Sequence, residues 1–219
     1  MSKPTDSIWK RINVSWAFVT NLCGSVPSDP NVVQKWIDAR KPAAKPPQGK
    51  SIEEIQEEVV ATLAEPEAEF SRLVFQRMQG VCCVRMATIR AHIKDCASVL
   101  SSLYIGKISG EKSFAVRMKN AIYYPPEVYW VPILKADGTP AMQHDGTKDT
   151  FVHTFQGNSL KQFEFITDAR IDFQLLLLGN AVKMADLHRI FEYGGVHGYA
   201  GERGAGEGRY TFTMKEADE

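Results

Sequence analysis

The 219-residue chain predicts an α+β protein, because helical and strand periodicities both occur and occupy separate stretches. Ile89, Ile93, Cys96, Leu100 and Leu103 recur at helical spacing, and Val182, Ala185, Leu187, Ile190 and Phe191 do so again. Between these two stretches the period shortens to that of strands over residues 122–134, 150–155, 162–166 and 170–178. With 44% hydrophobic, 10% aromatic and 24% charged residues, the composition excludes disordered, collagen-like and membrane classes. No run approaches the ~18 apolar residues of a membrane span. Met1 to Trp9 lacks the basic start and apolar core of a signal peptide, so a cytoplasmic protein without membrane contact is expected.

Taken in order, residues 9–22 mix aromatic and β-branched residues with partial alternation and read as an early strand. Three prolines and a glycine within residues 41–49 exclude regular structure, and 41–50 is expected to be a flexible loop. A short helix over residues 51–63 follows from Ile52, Ile55, Val59 and Leu63, with Ser51 as cap and Glu53 and Glu54 in the first turn. Its solvent face is acidic. Thr88 is the expected cap of the second helix, and residues 114–120 suit a further short one. In the strand-rich half, Asp137-Gly138 and Asp145-Gly146 mark a long hairpin connection, while Thr167-Asp168 separates two runs that can pair directly. The unbroken apolar run 175–178 fits a central strand buried on both faces. Asn180 is expected to cap the helix over 181–193, Gly194-Gly195 to stop it, and residues 209–214 to form a last strand. These elements suit one domain over 1–219, with a division into 1–120 and 121–219 as the alternative.

Cys23, Cys82, Cys83 and Cys96 sit in apolar contexts without a C-x-x-C pair and read as reduced core thiols. The acids Asp145, Asp149, Asp168 and Asp172 lack metal-site spacing, so no metal or cofactor is expected. The net charge of +0 conceals an uneven distribution. Residues 70–120 hold nine basic side chains, Arg72, Arg77, Arg85, Arg90, Lys94, Lys107, Lys112, Arg117 and Lys119, against Asp95 and Glu111 alone.

Seven of the 16 glycines fall between Gly194 and Gly208. Such a run lets backbone N–H groups approach phosphates, and Arg203 and Arg209 add charge. The run follows a helix and precedes a strand, the reverse of the dinucleotide-binding order, and it holds no Walker A lysine.

The pattern Gly198, Gly201, Arg203, Gly206, Gly208, Arg209, Tyr210, placed between a helix and the last strand, resembles the C-terminal signature of the RAMP superfamily, the repeat-associated RNA-binding proteins of CRISPR effector complexes. The basic stretch 86–96 is similar to the RNA-contacting helix of that family and of related phage-encoded proteins. The resemblance implies a ferredoxin-like (RRM-like) core of one or two elaborated units, with an antiparallel sheet and a glycine-rich loop before the last strand. It implies single-stranded RNA and other protein subunits as partners, with that loop lining the RNA groove. Arg85, Arg90, Lys94, Arg117 and Lys119 would then neutralise phosphates while Tyr123, Tyr124 or Tyr199 stacks on bases. Glu202 and Glu207 depart from the pattern by placing negative charge in the loop.

Three functions follow. The first is a non-catalytic RNA-binding subunit of a CRISPR-type antiviral ribonucleoprotein, or a phage relative of one. The second is an interaction protein acting on a host or defence complex through its acidic helix. The third is a metal-independent endoribonuclease, as some RAMP proteins are, with His92 activating the ribose hydroxyl.

Overall fold

Ile12, Val14, Trp16 and Phe18 alternate with polar residues, so one face of strand β1 (Trp9–Phe18) is fully buried and the other open. The computed structural model describes residues 7–28, 71–105, 113–154 and 157–217. The flexible loop expected at 41–50 and the acidic helix expected at 51–63 lie outside these residues. After β1 come the short strands β2 (Leu22–Cys23), β3 (Val26–Pro27), β4 (Ser71–Val74), β5 (Gln76–Met78) and β6 (Val81–Arg85). Helix α1 (Met86–Leu100) runs on into a π turn (Ser101–Ile105) and is followed by α2 (Phe114–Ala121). Then come β7 (Ile122–Tyr123), β8 (Trp130–Leu134), β9 (Gly146–Thr154), β10 (Gly157–Ile166) and β11 (Arg170–Leu178). Helix α3 (Met184–His197) and β12 (Tyr210–Glu216) complete the order.

The strands form two sheets. A seven-stranded sheet runs β12-β1-β11-β8-β6-β5, with β7 also on β11, and all its pairs are antiparallel. A five-stranded sheet runs β2-β10-β4-β3, with β9 also on β10; its β10–β4 pair is parallel. Helices α1 and α3 pack on the buried face of the larger sheet, where Trp16, Phe114, Phe191, Ile133 and Leu175 share one apolar core. Because β1 lies between β11 and β12, the chain on either side of residue 120 builds the same sheet, and a division there would cut through that core.

Several expectations are corrected. Thr88 does not cap α1, which starts at Met86; its hydroxyl donates to the Arg85 carbonyl at 2.7 Å instead. The stretch 122–134 is broken between β7 and β8 at Pro125, where Val128 N–H turns back to the Pro125 carbonyl at 3.0 Å. Asp168, with φ of 47°, turns the chain from one sheet to the other, so β10 and β11 do not pair. Strands β8 and β9 likewise lie in different sheets. In the run 175–178 only Leu175 and Leu177 are buried, and Leu178 is exposed on the outer face.

Lys183, not Asn180, occupies the N-cap of α3, and Gly194 and Gly195 lie inside the helix. A Cβ on Gly194 would collide with the Tyr210 hydroxyl and lie 2.8 Å from His92 Nε2, and one on Gly195 would strike the Tyr210 carbonyl. The pair therefore admits β12 against the helix. Gly208 has φ of +72° and a backbone wedged against Tyr199, whereas Gly204 has nothing within 4 Å of a built Cβ. Gly208→Ala should therefore cost about 3 kcal/mol or more of unfolding free energy, and Gly204→Ala less than about 0.5 kcal/mol, as read by denaturant titration. Equal effects would refute this packing.

Candidate nucleic-acid interface

Arg90 and Lys94 stand one turn apart on α1 and face the end of α2, where Lys119 lies. Arg90 donates from Nε to the Ile122 carbonyl at 2.8 Å and from Nη2 to the Lys119 carbonyl at 3.0 Å, so its charge meets the negative end of α2. Its guanidinium also lies 4.6 Å over the ring of Tyr123, which meets Trp9 edge-on at 5.4 Å. Burial, then the positive charges of Arg90 and Lys119, lower the Lys94 pKa. Among the described residues no acidic side chain forms an ion pair with any of the three. Among the described residues the surface therefore offers three cations without an acidic partner beside an aromatic pair.

The other predicted cations have different surroundings. Arg85 donates to Gln76 Oε1 at 2.8 Å and lies 5.2 Å over Trp130, on the outer sheet face. Arg117 is a strut between helices, donating to the Ala181 carbonyl at 2.8 Å and to buried Asp186 at 3.0 Å. Arg72 and Arg77 pair with buried Glu164 at 3.5 and 3.2 Å, tying β4 and β5 to β10. Arg72, Arg77 and Arg117, each paired with a buried acid, add nothing to an anion surface, whereas Arg85 has only neutral partners.

The glycine-rich loop turns its N–H groups inward. Those of Gly198, Tyr199, Gly201, Gly206 and Gly208 donate to the carbonyls of Gly194, Gly208, Cys23, Arg203 and Asn21, and Arg209 N–H donates to Thr20 Oγ1. Glu207 is buried, accepts Asn21 N–H at 3.0 Å and pairs with Lys148 at 2.9 Å, while Glu202 accepts the Thr150 hydroxyl at 3.1 Å. Both acids thus anchor the loop to the second sheet. Arg203 donates to His197 Nε2 at 3.2 Å and lies 3.7 Å from Asp95, and Arg209 is exposed. Tyr199 is buried and donates to the Thr88 hydroxyl at 2.7 Å, since that hydroxyl's own proton is spent on Arg85. Thr88, Ala91, His92 and Asp95 therefore form the α1 flank facing the loop, around a cleft of about 280 Å³. At 3.6 residues per turn, Arg90 and Lys94 fall on roughly the opposite flank. The loop arginines and the helix cations are not brought together.

His92 is only 6% exposed, with Nε2 3.1 Å from the Tyr210 hydroxyl and 3.6 Å from Cys96 Sγ. Burial first, then the charges of Arg203 and His197, lower its pKa to about 3. It stays neutral near pH 7 and is far too weak a base to activate a hydroxyl. The four cysteines are free and buried. Among the described residues no three His, Cys, Asp or Glu side chains are grouped to hold a metal, and no helix is long and apolar enough to cross a membrane.

Sequence reasoning singled out Tyr123 but missed Trp9 and Trp130 as surface aromatics. Their signal is parity, for Trp9 shares the outward register of Arg11 and Asn13, opposite to buried Ile12 and Val14. No protein-family model and no curated protein matches the chain.

His92 also makes stability depend on pH. Its folded-state pKa lies below the ordinary 6.5, so its contribution is complete above pH 6.5 and is lost as pH falls toward 3. Between pH 7 and 4.5 this group should cost about 2 to 3 kcal/mol, at ~1.4 kcal/mol per pH unit. Denaturant unfolding should show that loss diminished in His92→Gln; an identical pH slope in both proteins would contradict it.

Proposed function

We propose that this protein binds single-stranded RNA through Arg90, Lys94 and Lys119, with Tyr123 and Trp9 alongside. One observation carries the reading: three cations with no acidic partner among the described residues adjoin exposed Tyr123 and half-buried Trp9, the combination that takes phosphates and unstacked bases together. A polyanion would relieve the repulsion from Arg90 and Lys119 that adds to burial in lowering the Lys94 pKa, whereas a neutral partner would not.

We further read the core as ferredoxin-like. Leaving out β5, β6 and the second sheet, the order is strand β1, helix α1, strands β7/β8 and β11, helix α3 and strand β12, and the spatial order β12-β1-β11-β8 is that of a split βαβ unit. The glycine-rich loop between α3 and β12 then stands where the RAMP resemblance expects it. On this reading the protein is a cytoplasmic, non-catalytic component of a CRISPR-type ribonucleoprotein or a phage-encoded relative, and the loop is a joint rather than a phosphate cradle.

Binding to oligouridine should weaken as salt rises. At a slope of about 0.7 per phosphate contact on single strands, Lys94→Gln/Lys119→Gln should flatten the log–log salt dependence by about 1.4 and weaken binding at low salt. Affinity indifferent to salt, or to the double substitution, would discard the proposal.

A further inference from the structure

The outer face of the seven-stranded sheet shows an arginine over an aromatic pair twice, once with Arg90 reaching round from α1 past the Ile122 carbonyl and once with Arg85 of the sheet itself. At one place Arg90 lies over Tyr123, which meets Trp9 edge-on. At the other, Arg85 lies 5.2 Å over Trp130, which meets Tyr129 edge-on at 5.3 Å. Strand parity puts Tyr123 and Trp130 on this face: Ile122 and Val131 are buried, so Tyr123 opposite Leu176 and Trp130 opposite Arg85 alternate outward, and Tyr129, just before β8, joins them through its contact with Trp130. Core packing does not account for the two tyrosines, since Tyr123 is 39% and Tyr129 53% exposed, while Trp9 and Trp130 are half-buried beside them.

We infer that Tyr129 and Trp130, with Arg85, form a second base-stacking position, so that the protein holds one strand at two points. The inference rests on the single-stranded RNA reading above. An exposed ring face accepts any base, and a guanidinium beside it offers both a stacking plane and a phosphate contact. A duplex exposes its phosphates but keeps its base faces covered, so it gains the phosphate contact without the stacking. The seven backbone steps from Tyr123 to Trp130 reach no further than ~25 Å even when extended. The turn from Val128 N–H to the Pro125 carbonyl shortens that reach. At ~3.4 Å per stacked nucleotide, a ten-nucleotide strand spans both positions.

Fluorescence anisotropy with labelled ten-nucleotide oligouridine and a ten-base-pair RNA duplex tests this on wild type, Tyr129→Ala and Lys94→Gln/Lys119→Gln. Tyr129 is mostly in water, so its truncation leaves the core intact, and a matching circular dichroism melt verifies that. Tyr129→Ala should bind oligouridine about five- to hundredfold more weakly with the salt slope unchanged, and wild type should prefer the single strand to the duplex. If Tyr129→Ala binds as tightly as wild type while the lysine variant has lost affinity, the second position is refuted and the RNA reading stands. If wild type binds neither probe, both fall.

Discussion

Trp16, on β1 between β11 and β12, stacks on Tyr210 at 4.3 Å, and that stack forms only because positions 194 and 195 have no side chains. Phe173, Phe191, Tyr199 and His92 meet the same indole edge-on, at 4.9 to 5.6 Å, so strands β1, β11 and β12, helices α1 and α3 and the glycine-rich loop converge on one ring. Its Nε1 is buried without a hydrogen-bond acceptor. The arrangement explains the neutral His92, since a charged imidazole in that ring of aromatics would be desolvated without a counter-ion.

From this centre the two flanks of α1 acquire different fates. One is drawn to the loop by Thr88–Tyr199 and Asp95–Arg203, and its polar groups are spent on folding. The other is left with Arg90 and Lys94 at the end of α2, where carbonyl groups fix the arginine and, among the described residues, no acid pairs with the cations. The basic excess of residues 70–120 is thereby divided. Arg72, Arg77 and Arg117 neutralise the buried acids Glu164 and Asp186, while Arg90, Lys94 and Lys119 remain open to a polyanion and Arg85 reaches the aromatic outer face.

Much of the fold was legible in the chain. Strand β11 occupies residues 170–178 as its alternation predicts, α2 matches its short amphipathic pattern, and β12 follows the glycines. What periodicity does not carry is the partner of each strand, which is why β10 and β11 were expected to pair and instead lie in separate sheets. The same holds for the charges, because a count of arginines says nothing of which ones meet a buried carboxylate across ~70 residues of sequence, as Arg117 meets Asp186. The glycine cluster was conspicuous, but absent side chains permit the approach of a ligand or of the chain itself, and at Gly194, Gly195 and Gly208 it is the chain that approaches. Lys94 and Lys119 could be read directly, since long charged side chains on amphipathic helices stay in water unless a partner draws them in.

Photo-cross-linking of a 4-thiouridine-substituted single strand, followed by mass spectrometry of the conjugated peptides, addresses the location of the interface most directly. Conjugates at Trp9, Tyr123 and the peptide over residues 120–130 are predicted. Conjugates confined to the glycine-rich loop over residues 198–209 would contradict an interface on the free flank of α1 and return the RNA to the loop.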